Sequence, residues 1–289
     1  MVYRFSCQPE KKLNNQLRNT FATKPFPFPD QPMGGNLRQP TAPVRHPVSM
    51  LALTRASSRP DLGEPRPVKW WWVGLGVALG LLGLFLGFAV TSIGARRTGE
   101  YALDMDISQH RDAVLITIAK VFNVVGGPTF APFLLLVLAG LIWWRWDRAS
   151  AIWFYGLAAI GWVSVTFAKV LVHRDRPPTS AIHALVIEKA ADSFPSGHTA
   201  LAVGVVFGAA MALRHYRGTA RWALILGLPF LALAAASRMV LGAHYLADVT
   251  AAPIIAGGAI LAFSGLVLPV EGRIRDRITA FKRPARARG

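Results

Sequence analysis

The chain has 289 residues, of which 53% are hydrophobic and only 16% are charged. Its long apolar runs exceed what one soluble core can bury, which excludes a soluble globular protein and predicts an integral membrane protein. The formal net charge of +17 lies mostly at the ends, because residues 1–69 hold 11 Lys and Arg against 4 acids and residues 271–289 hold 7 against 2. Such flanks are typical of juxtamembrane segments that face anionic lipid, so nucleic acid is not expected as a partner. The single cysteine, Cys7, excludes an intrachain disulfide and a multi-cysteine metal site.

Residues 1–69 are rich in Pro, Arg, Asn, Gln and Ser and contain no apolar run long enough for a signal peptide. We expect a disordered basic N-terminal extension here and a basic C-terminal tail over residues 271–289. Met50 is an alternative start, so the sequence leaves open whether residues 1–49 are a genuine part of the protein. Residues 70–270 are expected to form one membrane domain.

Six apolar segments of this domain predict an all-α, polytopic membrane protein with six transmembrane helices. The clearest is Trp70–Ile93, an uncharged run of 24 residues. At about 1.5 Å per residue it suffices to cross a hydrocarbon core of roughly 30 Å. The other five, in chain order, are Thr129–Trp146, Ala149–Val172, Thr199–Leu213, Trp222–Ser237 and Val249–Val270.

Two further stretches are predicted not to span. Ala113–Val125 is apolar but has only 13 residues, which favours an interfacial or re-entrant segment. The polar stretch from Arg96 to Asp112 carries Glu100 and Asp104 and is predicted to be an exposed connection.

The distribution of charge predicts the orientation. The links Arg145–Arg148 and Arg214–Arg221 carry five arginines against one acid, and both termini are basic, so all four are expected to be cytoplasmic. With six spans every segment then alternates consistently. We therefore expect a multi-pass protein of the plasma membrane whose other three connections lie outside.

Three polar strings interrupt the apolar segments: Lys169–Pro177 (KVLVHRDRP), Pro195–His198 (PSGH) and Ser237–Asp248 (SRMVLGAHYLAD). The first ends the third span, the second begins the fourth, and the third bridges the fifth and sixth. In a six-span topology all three lie on the outer face. Together they bring two histidines, a carboxylate and three cations to what we interpret as one phosphate site.

The histidines and the carboxylate suit nucleophilic catalysis on phosphorus. His244 and Asp248 are four residues apart, so a helix would place them on one face. The carboxylate can accept the proton on one imidazole nitrogen and leave the other lone pair free to attack. A departing alkoxide needs a proton, and His198 fits that role.

The cations and small residues suit the binding of phosphate. Lys169, Arg176 and Arg238 can neutralise the charge of a phosphoryl transition state, the work that a metal performs in many other phosphatases. Ser196 and Gly197 precede a helix expected to begin near His198, whose free backbone amides can bind an anion. No metal or other cofactor is required by this arrangement.

Each of these residues alone has a more ordinary interpretation. A lone membrane His is more often a packing residue, and Lys or Arg near the end of a span usually extends to the headgroups. Asp248 could be a favourable first-turn acid, and Pro195–Gly197 a plain loop and cap. The joint match of three strings at fixed spacing on one face favours the site.

The three strings resemble the tripartite signature of the type 2 phosphatidic acid phosphatase superfamily, which includes bacterial lipid phosphatases, glucose-6-phosphatase and vanadium haloperoxidases. The signature positions are all filled, by Lys169, Arg176, Pro177, Pro195, Ser196, Gly197, His198, Ser237, Arg238, His244 and Asp248. The resemblance implies a six-helix membrane core and a phosphohistidine on His244. It also implies hydrolysis of a lipid phosphate or diphosphate, such as undecaprenyl diphosphate, phosphatidylglycerol phosphate, phosphatidate or diacylglycerol diphosphate.

Three alternatives remain open from the sequence. A phosphotransferase would pass the same phosphohistidine to an acceptor other than water. A haloperoxidase would hold vanadate in the pocket, although the spanning helices argue against it. A transporter would bind lipid phosphate without chemistry, but it has no use for a His–Asp pair opposite a second His. The oligomeric state is not predicted.

Other polar residues near the strings have an ordinary interpretation. His173, Arg174 and Asp175 occupy positions that the signature leaves free; they could line the pocket, but solvation at the interface is favoured. Glu188 is expected on the surface of the loop between the first two strings, together with His183, Lys189 and Asp192, with contact to lipid headgroups as the alternative role.

Overall fold

The computed structural model describes residues 67–280. The predicted N-terminal extension up to residue 66, including Cys7 and Met50, and the last nine residues of the predicted tail lie outside the described residues. Between residues 67 and 280 the chain forms helices and no strand. They are α1 (Trp70–Ile93), α2 (Glu100–Gln109), α3 (Ala113–Val125), α4 (Ala131–Arg145), α5 (Arg148–Val172), α6 (Gly197–Ala212), α7 (Thr219–Val240) and α8 (Leu246–Ala280).

Four of these helices are long and apolar enough to cross a membrane, namely α1, α5, α7 and the part of α8 from Leu246 to Arg275. The all-α membrane class is therefore confirmed. Helices α4 and α6 coincide with predicted spans but have only 15 and 16 residues. The count of six spans stays a prediction.

The stretch between Arg96 and Asp112 is not the exposed connection that its polarity predicts. It contains α2, on which Glu100 is 6% exposed and Asp104 is 1% exposed. The prediction was wrong for these two residues. Glu100 can be buried because it pairs with residues distant in sequence, whereas the carboxylate of Asp104 has no hydrogen-bond partner in the described part of the chain.

Side-chain caps explain where three helices begin. The carboxylate of Asp112 accepts from the amide of Leu115 at 2.8 Å and starts α3. In the same way Asp147 starts α5, accepting from the Ser150 amide at 2.9 Å. The hydroxyl oxygen of Ser196 lies 3.4 Å from the amide of the residue three positions on, and so starts α6 directly after the second string.

Helix α8 packs against α1, α5 and α6, and small residues allow these helices to approach closely. A side chain at Gly76 would collide with Gly258 and Ala262 of α8, and one at Gly204 would collide with the backbone of Ala158 on α5. Small residues at such contacts are typical of membrane helices. This packing places the end of α5 beside the starts of α6 and α8.

The opposite ends of these helices are joined by a separate polar network. Asp147, before α5, accepts a hydrogen bond from the hydroxyl of Tyr216 at 2.5 Å. Glu271, on α8, pairs with Arg214 and lies 3.2 Å from Nε2 of His215. The two basic links thus lie together at one end of the helices, away from the three strings.

Candidate active site

The three polar strings meet where α5 ends and where α6 and α8 begin. A cavity of about 210 Å³ opens there. Its lining includes Lys169, Arg176, Glu188, Gly197, His198 and His244. Five of the eight residues that the sequence predicts for the site therefore line one cavity. The other three, Ser196, Arg238 and Asp248, are fully buried beside it.

His244 lies between Asp248 and Arg176. Its Nδ1 is 3.5 Å from Asp248 Oδ2, and its Nε2 is 3.4 Å from Arg176 Nη1. Both contacts are long for hydrogen bonds, and catalytic contacts commonly tighten when substrate binds. Because a guanidinium can only donate, this arrangement favours a lone pair on Nε2 and a proton on Nδ1, facing Asp248. That is the tautomer required for attack through Nε2.

The His244 imidazole is held neutral. Burial is the main cause that lowers its pKa, to about 3, and the charges of Arg238 and Arg176 act in the same direction against the opposing effect of Asp248. At neutral pH the side chain is therefore an unprotonated nucleophile that needs no separate base.

The second histidine is held by a residue that the sequence did not indicate. Nε2 of His198 lies 3.1 Å from the backbone carbonyl oxygen of Asn123 on α3. A carbonyl oxygen only accepts, so Nε2 carries the proton and Nδ1 remains for proton exchange. Gly126 lies directly against the ring, where any side chain would collide with it.

Arg238 is 0% exposed, and its guanidinium has partners on two sides. Nη1 donates to Oδ1 of Asn123 at 2.6 Å, and Nη2 pairs with the carboxylate of Glu188. Glu188 is therefore not the plain surface residue predicted from the sequence, since a buried guanidinium needs a counter-charge. Although burial alone would raise the pKa of Glu188, the charges of Arg238 and Arg176 hold it below its ordinary value.

The other two cations are anchored by backbone carbonyls. Lys169 Nζ donates to the carbonyl oxygen of Asp192 at 3.0 Å. Arg176 donates to the carbonyls of Ala190 and Ala243, each at 2.7 Å. Carbonyl groups orient a cation without cancelling its charge, so both residues can still attract an anion into the cavity.

The structure separates the roles of Ser196 and Gly197. Ser196 Oγ lies 3.0 Å from the hydroxyl of Thr199 and caps α6, whereas Gly197 lines the cavity. The first amides of a helix have no partner within it, which leaves the start of α6 able to receive a phosphate oxygen.

Behind Asp248 lies a buried chain of ion pairs that the sequence did not predict. Arg174, 3% exposed, donates from Nη1 to Asp248 Oδ1 at 2.7 Å and from Nη2 to Glu100 Oε2 at 2.5 Å. The prediction of a solvated Arg174 was wrong because Arg174 forms ion pairs with two buried carboxylates. No pattern in the sequence links residue 174 with residue 100.

A second, apolar cavity of about 150 Å³ adjoins the first. The two share Gly126 and His198 in their walls. The apolar lining comes mainly from α3, α6 and α7 and includes Val121, Phe122, Val125, Leu201, Val205 and Phe230. A phosphate held near the histidines would therefore have an apolar space beside it.

Known proteins resemble the chain in its fold and over residues 149–269. No curated protein shows significant similarity to the chain. Among solved structures the chain is similar to the crystal structure of the first transmembrane PAP2 type phosphatidylglycerolphosphate phosphatase from Bacillus subtilis. The TM-score is 0.54 at 20% sequence identity, over 72% of this chain and 99% of that one, so the likeness concerns the fold. Residues 149–269, which contain all three strings, match the PAP2 superfamily. The protein is therefore a multi-pass membrane protein whose residues 149–269 match the PAP2, or type 2 phosphatidic acid phosphatase, superfamily.

Proposed function

We propose that the protein is a membrane lipid phosphatase that hydrolyses a phosphate monoester or diphosphate of a lipid through a phosphohistidine on His244. The observation that carries the proposal is the neutral, buried His244, which is backed by Asp248 and shares one cavity with His198. Binding alone would need the cations but not this pair of histidines. Both histidines line one cavity, so a phosphate bound there could meet a nucleophile and a proton donor.

In the proposed reaction, Nε2 of His244 attacks phosphorus and the bond from phosphorus to the lipid oxygen breaks. His198 enters this step as the imidazolium, with Nε2–H on the Asn123 carbonyl, and gives its Nδ1 proton to that oxygen, while the proton on Nδ1 of His244 stays beside Asp248. Water then attacks phosphorus, the bond from phosphorus to Nε2 of His244 breaks, a proton of the water returns to Nδ1 of His198, and inorganic phosphate leaves. Throughout, the charge of the equatorial oxygens is neutralised by Lys169 and Arg176 in the cavity wall, and Arg238 adds its positive charge from its buried position beside the cavity.

The adjoining apolar cavity favours a lipid over a soluble phosphate ester. Its wall continues from His198 onto apolar side chains of α3 and α7, where the first part of an acyl or prenyl chain would be sheltered. The similar Bacillus subtilis structure is described as a phosphatidylglycerolphosphate phosphatase. We therefore place phosphatidylglycerol phosphate first among the substrates to test, with undecaprenyl diphosphate and phosphatidate next.

The first prediction is that purified protein in detergent micelles releases inorganic phosphate from at least one of these lipids in the presence of EDTA. The three side-chain cations take the place of a metal, so chelation should leave the rate unchanged. Vanadate should inhibit, because it can adopt the five-coordinate geometry of the transition state. Phosphate release with and without EDTA, and across a vanadate series, measures both expectations.

Two outcomes would contradict this proposal. Loss of activity in EDTA that a divalent ion restores would show that the cations do not suffice. Transfer of the phosphate to another lipid, without release of inorganic phosphate, would favour the phosphotransferase. Product analysis with labelled substrate separates transfer from hydrolysis.

We further propose that six helices, α1 and α4 to α8, span the plasma membrane, with both termini inside and the cavity on the outer face. The two basic links lie at the end of the helices opposite the cavity, as this orientation requires. Helices α4 and α6 are short, but polar residues that extend beyond their ends can reach the interface.

The second prediction tests this orientation with single cysteines in a Cys7→Ser background. Ile187, 87% exposed in the loop between the first two strings, should react as Ile187→Cys with an impermeant thiol reagent in intact cells. Thr219→Cys, at the start of α7, should react only after lysis. The reverse pattern would place the cavity in the cytoplasm and would refute the outer-face assignment.

A further inference from the structure

The carboxylate of Asp248 is fixed by different partners on its two oxygens. Oδ1 accepts from Arg174 at 2.7 Å, while Oδ2 accepts from the backbone amide of Tyr245 at 2.9 Å and faces His244. The guanidinium of Arg174 itself lies over the ring of Tyr245, 4.6 Å from the ring centre. Rotation of the carboxylate would break two contacts at once, so Arg174 determines which oxygen faces the imidazole.

Glu100 completes this arrangement from α2. Besides pairing with Arg174, it accepts from the backbone amide of Ala247 at 2.7 Å and from the hydroxyl of Thr98 at 2.8 Å. The Ala247 amide belongs to the first turn of α8, which also carries Asp248. Glu100 therefore ties α2 to the turn that presents Asp248, although it lies outside the residues 149–269 that match the superfamily.

The signs of the charges give Glu100 a second effect. Arg174 alone would cancel the charge of Asp248 and would weaken its attraction for the imidazolium that forms when His244 is phosphorylated. Glu100 returns one negative charge to the chain of Asp248, Arg174 and Glu100. Asp104, buried nearby, adds no charge in acid, because burial and then the charges of Asp248 and Glu100 raise its pKa to about 7.

We propose that Glu100 and Arg174 are a positioning pair that holds Asp248 in register with His244 and keeps the group net negative. Neither residue lines the cavity, so neither is expected to touch substrate. The inference rests on the proposed phosphatase activity of His244. It adds that α2, a helix outside the residues that match the superfamily, contributes to the active site.

The test compares Glu100→Gln and Arg174→Gln with Asp106→Asn, a matched control on an exposed side chain of the same helix. We expect kcat to fall about 10-fold to 100-fold in the first two variants, the usual range for partners behind a functional group. KM should change little, and the control should match wild type. Thermal unfolding in detergent shows which variants are folded. If Arg174→Gln is not folded, Arg174→Lys, which keeps the charge, takes its place as the second variant.

The pH profile separates positioning from a merely structural role. Protonation of His244 sets the acidic limb of kcat/KM that we compare. Loss of the Arg174 cation should favour the imidazolium form of His244 and move the acidic limb to higher pH by about one unit. Loss of the Glu100 anion should move the acidic limb to lower pH or leave it in place. Arg174→Lys should keep the wild-type limb. The other charged and titratable groups around His244, unchanged in all these variants, are Lys169, Arg176, Glu188, His198, Arg238 and Asp248.

Failure of this inference is distinguishable from failure of the proposed function. If wild-type protein releases no phosphate, the function itself is refuted. If wild type is active, a wild-type kcat in folded Glu100→Gln would overturn the positioning role. Acidic limbs that move in the same direction in Glu100→Gln and Arg174→Gln would overturn the charge argument.

Discussion

His244→Ala is expected to abolish phosphate release, with kcat falling by roughly 10⁴-fold or more, as in other enzymes that lose their nucleophile. The variant removes the only atom proposed to bond to phosphorus, and the cations of the cavity cannot replace it. Initial rates on the best lipid substrate measure the effect. In wild type, a labelled phosphate that is stable to alkali and labile to acid should be trapped on the protein, and this signal should be lost in the variant.

The matched control for this variant is His173→Ala. His173 lies close to the site in sequence, but its side chain is 68% exposed and faces the carboxylate of Asp192 at 3.4 Å. Its removal should leave the rate unchanged. Near-normal activity in folded His244→Ala, or a trapped phosphate that persists there, would refute the phosphohistidine.

The sequence predicts the centre of this site well because the centre is local. Gly197 and His198 are adjacent, and His244 lies two residues before α8 while Asp248 lies in its first turn. The short chain segment therefore brings His244 and Asp248 together, although not on one helical face as predicted. Convergence of the three strings then required only the correct order and direction of the spans. In the structure, helices α5, α6 and α8 end or begin at one cavity.

The surrounding partners could not be predicted because they are distant in sequence. Glu100 and Arg174 are 74 residues apart, and Asn123 and Arg238 are 115 residues apart. Near a membrane surface an isolated Glu or Arg is expected to be solvated, and only the fold reveals a buried partner of opposite charge. The polarity of α2 concealed the burial of Glu100 for the same reason, since its partners Arg174 and Ala247 are distant in sequence.

Asp248→Asn is expected to lower kcat by about 10²-fold to 10⁴-fold, less than His244→Ala, because the attacking nitrogen remains. The structure indicates how the loss arises. Arg174 donates to Oδ1, so the amide oxygen of the substituted side chain would take that position and its NH₂ would face His244 and the Tyr245 amide. Imidazole would then accept at Nδ1 and carry its proton on Nε2, the tautomer that cannot attack phosphorus. KM should change little, since Asp248 does not line the cavity.

The change in tautomer predicts a loss of rate without a loss of phosphate binding. Vanadate can bond to the same imidazole nitrogen, so its binding does not separate rate from phosphate binding. The measurement is therefore the separate determination of kcat and KM, with Asp106→Asn as the control. A wild-type kcat would show that Asp248 does not orient His244. A raised KM with an unchanged kcat would place Asp248 among the phosphate-binding groups instead. Because the substitution removes a charge and keeps the shape of the side chain, a fall in kcat alone in the folded variant identifies the carboxylate as the group that holds His244 ready to attack.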